Sequence, residues 1–157
     1  MIHQQPGDLL EVEFEDKFYY LVVLTKIVMF GGNIVFAFHG DGTKRNAEEL
    51  APTDPGFNIC TDLLLPKKHG VVRRLAHLSD TSRYWRTRLV KATNEYRIGQ
   101  KAREWFIYRV ADLRNHIERR STMPQEYAEA MDGGIYSFDL VASKIREGYK
   151  PSDNRFL

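Results

Sequence analysis

The chain has 157 residues, of which 43% are hydrophobic, 12% aromatic and 28% charged, with a net charge of +2; these values fit one soluble globular domain and exclude a disordered or membrane-embedded chain. Cys60 is its one cysteine, which excludes an internal disulfide and any multi-cysteine zinc site and suits a buried, inert thiol. The small net charge hides a segregation: residues 1–66 carry −6, residues 67–120 carry +10 and residues 121–157 carry −2, an asymmetry that marks interaction surfaces unless the blocks pair internally on folding.

In chain order, Leu10, Val12 and Phe14 alternate with Glu11, Glu13 and Glu15, so a strand with one apolar and one acidic, outward face is predicted. A tight turn at Asp16-Lys17 leads into Phe18–Lys26, whose unbroken run from Tyr19 to Leu24 reads as a central strand buried on both sides. Gly31-Gly32 supplies the positive φ angles of a short hairpin, Ile34–Phe38 the returning strand, and Gly40-Asp41-Gly42 its end. The meander begins a twisted, SH3-like barrel or sheet, with further strands expected among residues 57–61, 71–77 or 83–90.

A helical turn is expected over Asn46–Leu50, a loop over Pro52–Gly56 and another break over Pro66–Gly70. Arg83–Val90 and Arg103–Val110 are later strand candidates, with a helix over 99–114 as the competing reading. Thr122 and Gln125 are spaced as a capping box before a short helix over Glu126–Met131, which Asp132-Gly133-Gly134 ends. Ser137 then caps a helix with Leu140, Val141 and Ile145 on one face and Gly148 near its end. The expectation is one α+β domain over 1–157, β-rich over about 6–110 and helical over about 121–149, with one or two C-terminal helices.

No cationic start followed by an apolar core opens the chain, and no run of about 18 apolar residues occurs in it, so a cytoplasmic protein without a membrane span is expected. The five histidines, His3, His39, His69, His77 and His116, form no H-x-x-x-H pair, and no metal, cofactor or catalytic residue is assigned. Gly40-Asp41-Gly42-Thr43-Lys44 lacks the spacing of a phosphate-binding loop. His39 with Asp41 is a conceivable hydrolytic pair that a glycine-rich turn equally explains, and Glu11, Glu13 and Glu15 could be paired carboxylates but read more simply as a solvated strand face. The protein is therefore expected not to be an enzyme.

Two surfaces remain. Glu11, Glu13, Glu15 and Asp16, with Asp41, Glu48 and Glu49, would present carboxylates to a cationic partner, such as the substrate site of a nuclease. A solvated strand face that guards against aggregation gives the same pattern. Arg83, Trp85, Arg86 and Arg88, and further on Arg103 and Arg109, interleave cations with aromatics in the manner of a nucleic-acid-binding module. Here too alternation has a plain account, with Trp85 and Ile107 inward and the arginines in water.

The runs Pro6-Gly7-Asp8-Leu9-Leu10-Glu11-Val12, Phe18-Tyr19-Tyr20-Leu21-Val22-Val23-Leu24 and Asn33-Ile34-Val35-Phe36-Ala37-Phe38 resemble the opening of bacterial proteins of the immunity protein 26 group. The resemblance covers about the first forty residues; the basic middle and the absence of a glycine within the second strand depart from it. It implies a cytoplasmic antidote that binds and neutralises a cognate toxin of a polymorphic or contact-dependent system, with no catalytic residues to carry over. The leading expectation is thus an immunity-type toxin inhibitor, and the alternative is a nucleic-acid-binding module.

Overall fold

Alternation and turn chemistry set the first strands. In the computed structural model, which describes residues 3–28, 31–63 and 70–157, the meander is β1 (Asp8–Phe14), β2 (Lys17–Ile27) and β3 (Gly32–Phe38), followed by β4 (Gly56–Thr61) and β5 (Gly70–His77). They form one antiparallel sheet in the order β4-β3-β2-β1-β5. Tyr19–Leu24 of β2 is buried throughout, as a central strand requires. β4 and β5 are its outer strands, so among the described residues the sheet is open and no closed barrel forms.

The chain divides into two compact units, residues up to Arg86 with Ile135–Tyr149, and Thr87–Gly134 with Lys150–Leu157. In the first unit, helix α1 (Phe138–Glu147) covers one sheet face. Its Phe138, Val141, Ala142 and Ile145 pack with Leu10, Val12, Tyr19, Leu21, Val23, Val35, Ala37, Phe57 and Ile59, each large apolar side chain contributing about 1.5–3 kcal/mol on burial. Phe138 meets Phe14 and Tyr19 edge-on at 5.6 and 5.7 Å. Ser137 is the N-cap residue and Gly148, at φ +65°, the left-handed C-cap. Leu140 does not share the buried face: it is 50% exposed, because the inward stripe runs through 138, 141, 142 and 145.

The opposite sheet face carries Phe36 and Phe38, whose rings lie 5.6 and 6.1 Å from Tyr84. This corrects the strand expected over 83–90. Ser82–Tyr84 is a 3-10 turn, and the Arg86 guanidinium stacks on Phe36 at 4.4 Å while donating to the carbonyls of Arg83, Pro52 and Asp54. Asn58 fastens the segment by donating to the Tyr84 carbonyl and accepting the Arg86 amide. The turn expected at Asn46–Leu50 is present as a 3-10 turn over Ala47–Glu49. Of the break expected at Pro66–Gly70, only Gly70 falls within the described residues, and it opens β5.

The second unit holds β6 (Leu89–Ala92), β7 (Trp105–Arg109), β8 (Asp112–Arg120) and β9 (Met131–Asp132), in the order β8-β7-β6-β9. β7 and β8 replace the helix considered over 99–114. The short helix expected over Glu126–Met131 is also corrected. After Pro124, Gln125–Tyr127 makes one 3-10 turn, and Met131 then pairs with Val90 in a parallel strand. Trp105 and Ile107 are buried.

Lys91 lies opposite Ile107 and is 1% exposed. Its three ammonium donors reach three acceptors: the carbonyls of Ala128 at 2.5 Å and Pro151 at 2.6 Å, and Asp132 Oδ1 at 3.4 Å. Asn154 Nδ2 also donates to Asp132, and Ala102 N–H to the Phe156 carbonyl. The segment Lys150–Leu157 is therefore tied to its own unit by directional bonds. No helix among the described residues is long and apolar enough to cross a membrane.

Candidate functional site: an acidic rim and an aromatic hairpin

The acidic positions separate into two groups. Glu11 is only 3% exposed, which corrects its expected outward place: it accepts from Arg73 at 3.1 Å and from the Tyr20 hydroxyl at 3.0 Å. Glu13 shares Arg73 at 2.8 Å. The reason is β5, which lays Arg73 against Glu11 in register; a buried carboxylate is tolerated once a cation and a hydrogen-bond donor satisfy it. The Tyr20 hydroxyl also accepts the Arg45 amide at 2.7 Å. Burial, followed by the Glu11 carboxylate, raises its pKa against the lowering effect of that amide.

The remaining acids are exposed and lie in the two connections at one end of the sheet. Glu15 and Asp16 form the two-residue turn between β1 and β2, with Phe14 opposite Lys17. Phe18 N–H donates to the Gly42 carbonyl at 2.9 Å, fastening this turn to the connection that carries Asp41, Glu48 and Glu49. The Thr43 amide and hydroxyl bond Asp41 and hold its carboxyl below the ordinary value. Glu49 accepts the Asn46 amide at 3.0 Å as a capping residue. Lys17 and Lys44 stand among these acids, and Lys44 lies 5.0 Å above the Phe18 ring.

Glu15 and Asp16 both have positive φ, +50° and +57°. A two-residue hairpin turn with this geometry favours Asn-Gly, because a Cβ at left-handed φ costs roughly 1–2 kcal/mol. Two carboxylates therefore occupy positions where the backbone alone would favour other residues.

Gly7-Asp8, part of the opening that carries the family resemblance, forms a structural clasp. Gly7 stands at φ +97°, where a Cβ would fall 2.5 Å from the Leu78 carbonyl oxygen. Asp8, fully buried, accepts the Gln5 amide at 2.9 Å and lies 2.9 Å from His77 Nδ1 and 3.8 Å from Arg74. These contacts lock the start of β1 to the end of β5. His39 Nε2 lies 2.8 Å from the Tyr149 carbonyl, and its ring packs on Phe57, so both His39 and Asp41 have local structural bonds. Among the described residues no group of three His, Cys, Asp or Glu could hold a metal ion. Burial, with Asp62 adding to it, pushes the Cys60 thiol up to about 11.

The basic candidates fall in different units: Arg83, Trp85 and Arg86 in the first, Arg88, Arg103 and Arg109 in the second. Arg86 is spent on Phe36 and three carbonyls. Sequence reasoning missed the residues that group with aromatics on β7 and β8. The register steps from Ile107 opposite Glu118 to Tyr108 opposite His116, leaving Ile117 as an extra residue. This bulge turns His116 and Arg119 to the face that holds Phe106 and Tyr108. The His116 ring lies 5.2 Å from Phe106 and 6.2 Å from Tyr108, and the Arg119 guanidinium 5.9 Å from Phe106. The nearly alternating pattern of 103–110 pointed to β7, but nothing in it located the bulge.

A scan against protein-family models and searches of curated proteins and of solved structures return no match to this chain.

Proposed function

We propose that this protein is an immunity-type inhibitor that binds a cognate bacterial toxin domain through the acidic rim of its first unit. The observation that carries the reading is the Glu15-Asp16 turn. Two exposed carboxylates occupy left-handed positions that favour other residues, and backbone strain of this kind persists where a function uses it. Asp41, Glu48 and Glu49 extend the rim, while Glu11 and Glu13 are engaged by Arg73.

A nuclease is the toxin class such carboxylates suit best, because they can occupy the cationic groups that otherwise hold substrate phosphate. The resemblance of the opening strands to the immunity protein 26 group supports the same reading. The sheet order β5-β1-β2-β3-β4 fits an SH3-like arrangement left open between its outer strands. The protein acts in the cytoplasm, on this reading, and needs no cofactor.

The test uses the double variant Glu15→Asn with Asp16→Gly, which suits the turn better than the natural pair. It should stabilise the protein by about 1 kcal/mol or more in urea while weakening binding to a candidate toxin domain that the natural protein binds. Unchanged toxin binding by the stabilised variant would remove the rim as the interface.

A further inference from the structure

The geometry points to a second binding surface: we infer that the Phe106, Tyr108, His116 and Arg119 face of the β7–β8 hairpin binds single-stranded nucleic acid by base stacking. An ordinary half-exposed strand would turn its apolar side chains inward and its arginines to water. Here Trp105 and Ile107 are inward, yet Phe106 and Tyr108 are partly exposed on the other face and grouped with an exposed histidine and arginine. The Ile117 bulge brings residues three apart, His116 and Arg119, to the same face.

Charge around the hairpin supplies the complementarity. Residues 103–120 contain Arg103, Arg109, Arg114, Arg119 and Arg120 against Glu104, Asp112 and Glu118. All three acids are engaged: Glu104 by Arg119, Glu118 by Arg120 and the Tyr127 hydroxyl, and Asp112 by Asn115 and the Arg114 amide. Arg103, Arg109 and Arg114 are exposed and make no ion pair among the described residues. Partly exposed rings grouped with the Arg119 guanidinium, on a hairpin whose other arginines are exposed, suit a strand whose bases lie open and whose phosphates run alongside. A duplex would offer the rings no base face. This inference is independent of the acidic rim, which lies in the other unit.

The experiment is fluorescence anisotropy of labelled oligothymidine and oligouridine of about 12 nucleotides with the full chain, at about 50 mM and about 200 mM salt. Binding is expected for at least one strand and should weaken as salt rises. Tyr108→Leu, which removes the ring while keeping an apolar side chain, should lower affinity about tenfold, with the folded state checked by circular dichroism. Arg114→Ala should reduce the salt slope by about one. A preference for oligouridine assigns RNA, a preference for oligothymidine assigns DNA, and equal affinity assigns either strand. The variant Glu15→Asn with Asp16→Gly should bind as the natural protein does. No anisotropy change at low salt, equal affinity for a duplex of the same length, or indifference to both Tyr108→Leu and Arg114→Ala would overturn the inference.

Discussion

The two units are stabilised in different ways. The first has an apolar core in which α1 and strands β1–β4 bury aliphatic and aromatic side chains, and its buried carboxylates, Glu11 and Asp8, sit toward one edge against β5. The second places the Lys91 ammonium at its centre and ties its last eight residues to it through carbonyls and Asp132. Apolar contact is non-directional and tolerates adjustment. An ammonium with three fixed acceptors does not, because removing it strands a buried carboxylate and two carbonyls.

The sharpest way to break this comparison is Lys91→Ala. It should cost about 3–5 kcal/mol, and amide exchange should show the Ala102 and Gly133 N–H groups losing protection while the strands of the first unit keep theirs. Equal loss in both units would mean that the ammonium does not hold the second unit separately. Next is Ile145→Ala in the apolar core, expected to cost about 3 kcal/mol by leaving a cavity under α1. Its exchange pattern should be the reverse, with the first unit loosened.

Gly148→Ala sharpens the account of α1. The residue sits at φ +65° with open space around its missing Cβ, so backbone conformation is the whole cost, about 1 kcal/mol in thermal unfolding. A further effect concerns pH. With the Cys60 thiol pushed up to about 11 in the folded protein, the unfolded chain loses this proton first. Stability should then decline as pH rises from about 9 toward 11, and a Cys60→Ser variant should decline less steeply over that range. Thiol labelling at neutral pH should be slow until the protein unfolds.

The parts of the fold legible in the sequence are those set by neighbours in the chain. Glu11 and Glu13 alternating with Leu10 and Val12 located β1, the run Tyr19–Leu24 located a central strand, and Ser137 with Gly148 bracketed α1. Where distant residues decide, local pattern failed. Glu11 is buried because Arg73, 62 positions away, supplies a guanidinium. The segment 83–88 is irregular because Arg86 finds acceptors at Pro52 and Asp54. Met131 leaves the expected helix because Val90 offers it a strand partner.

The candidate sites divide in the same way. The acidic turn was legible apart from its exact position, since Glu15 and Asp16 rather than Asp16 and Lys17 form it. The aromatic hairpin was only half legible: the rings stand in the sequence, but the bulge that gathers His116 and Arg119 beside them exists only once β7 and β8 pair.

The most direct test is calorimetric titration of a candidate nuclease-toxin domain with the natural protein and with Glu15→Asn/Asp16→Gly. The account predicts tight binding by the first and at least a tenfold weaker association, about 1.4 kcal/mol, for the more stable variant. Equal affinity in the two titrations would contradict it.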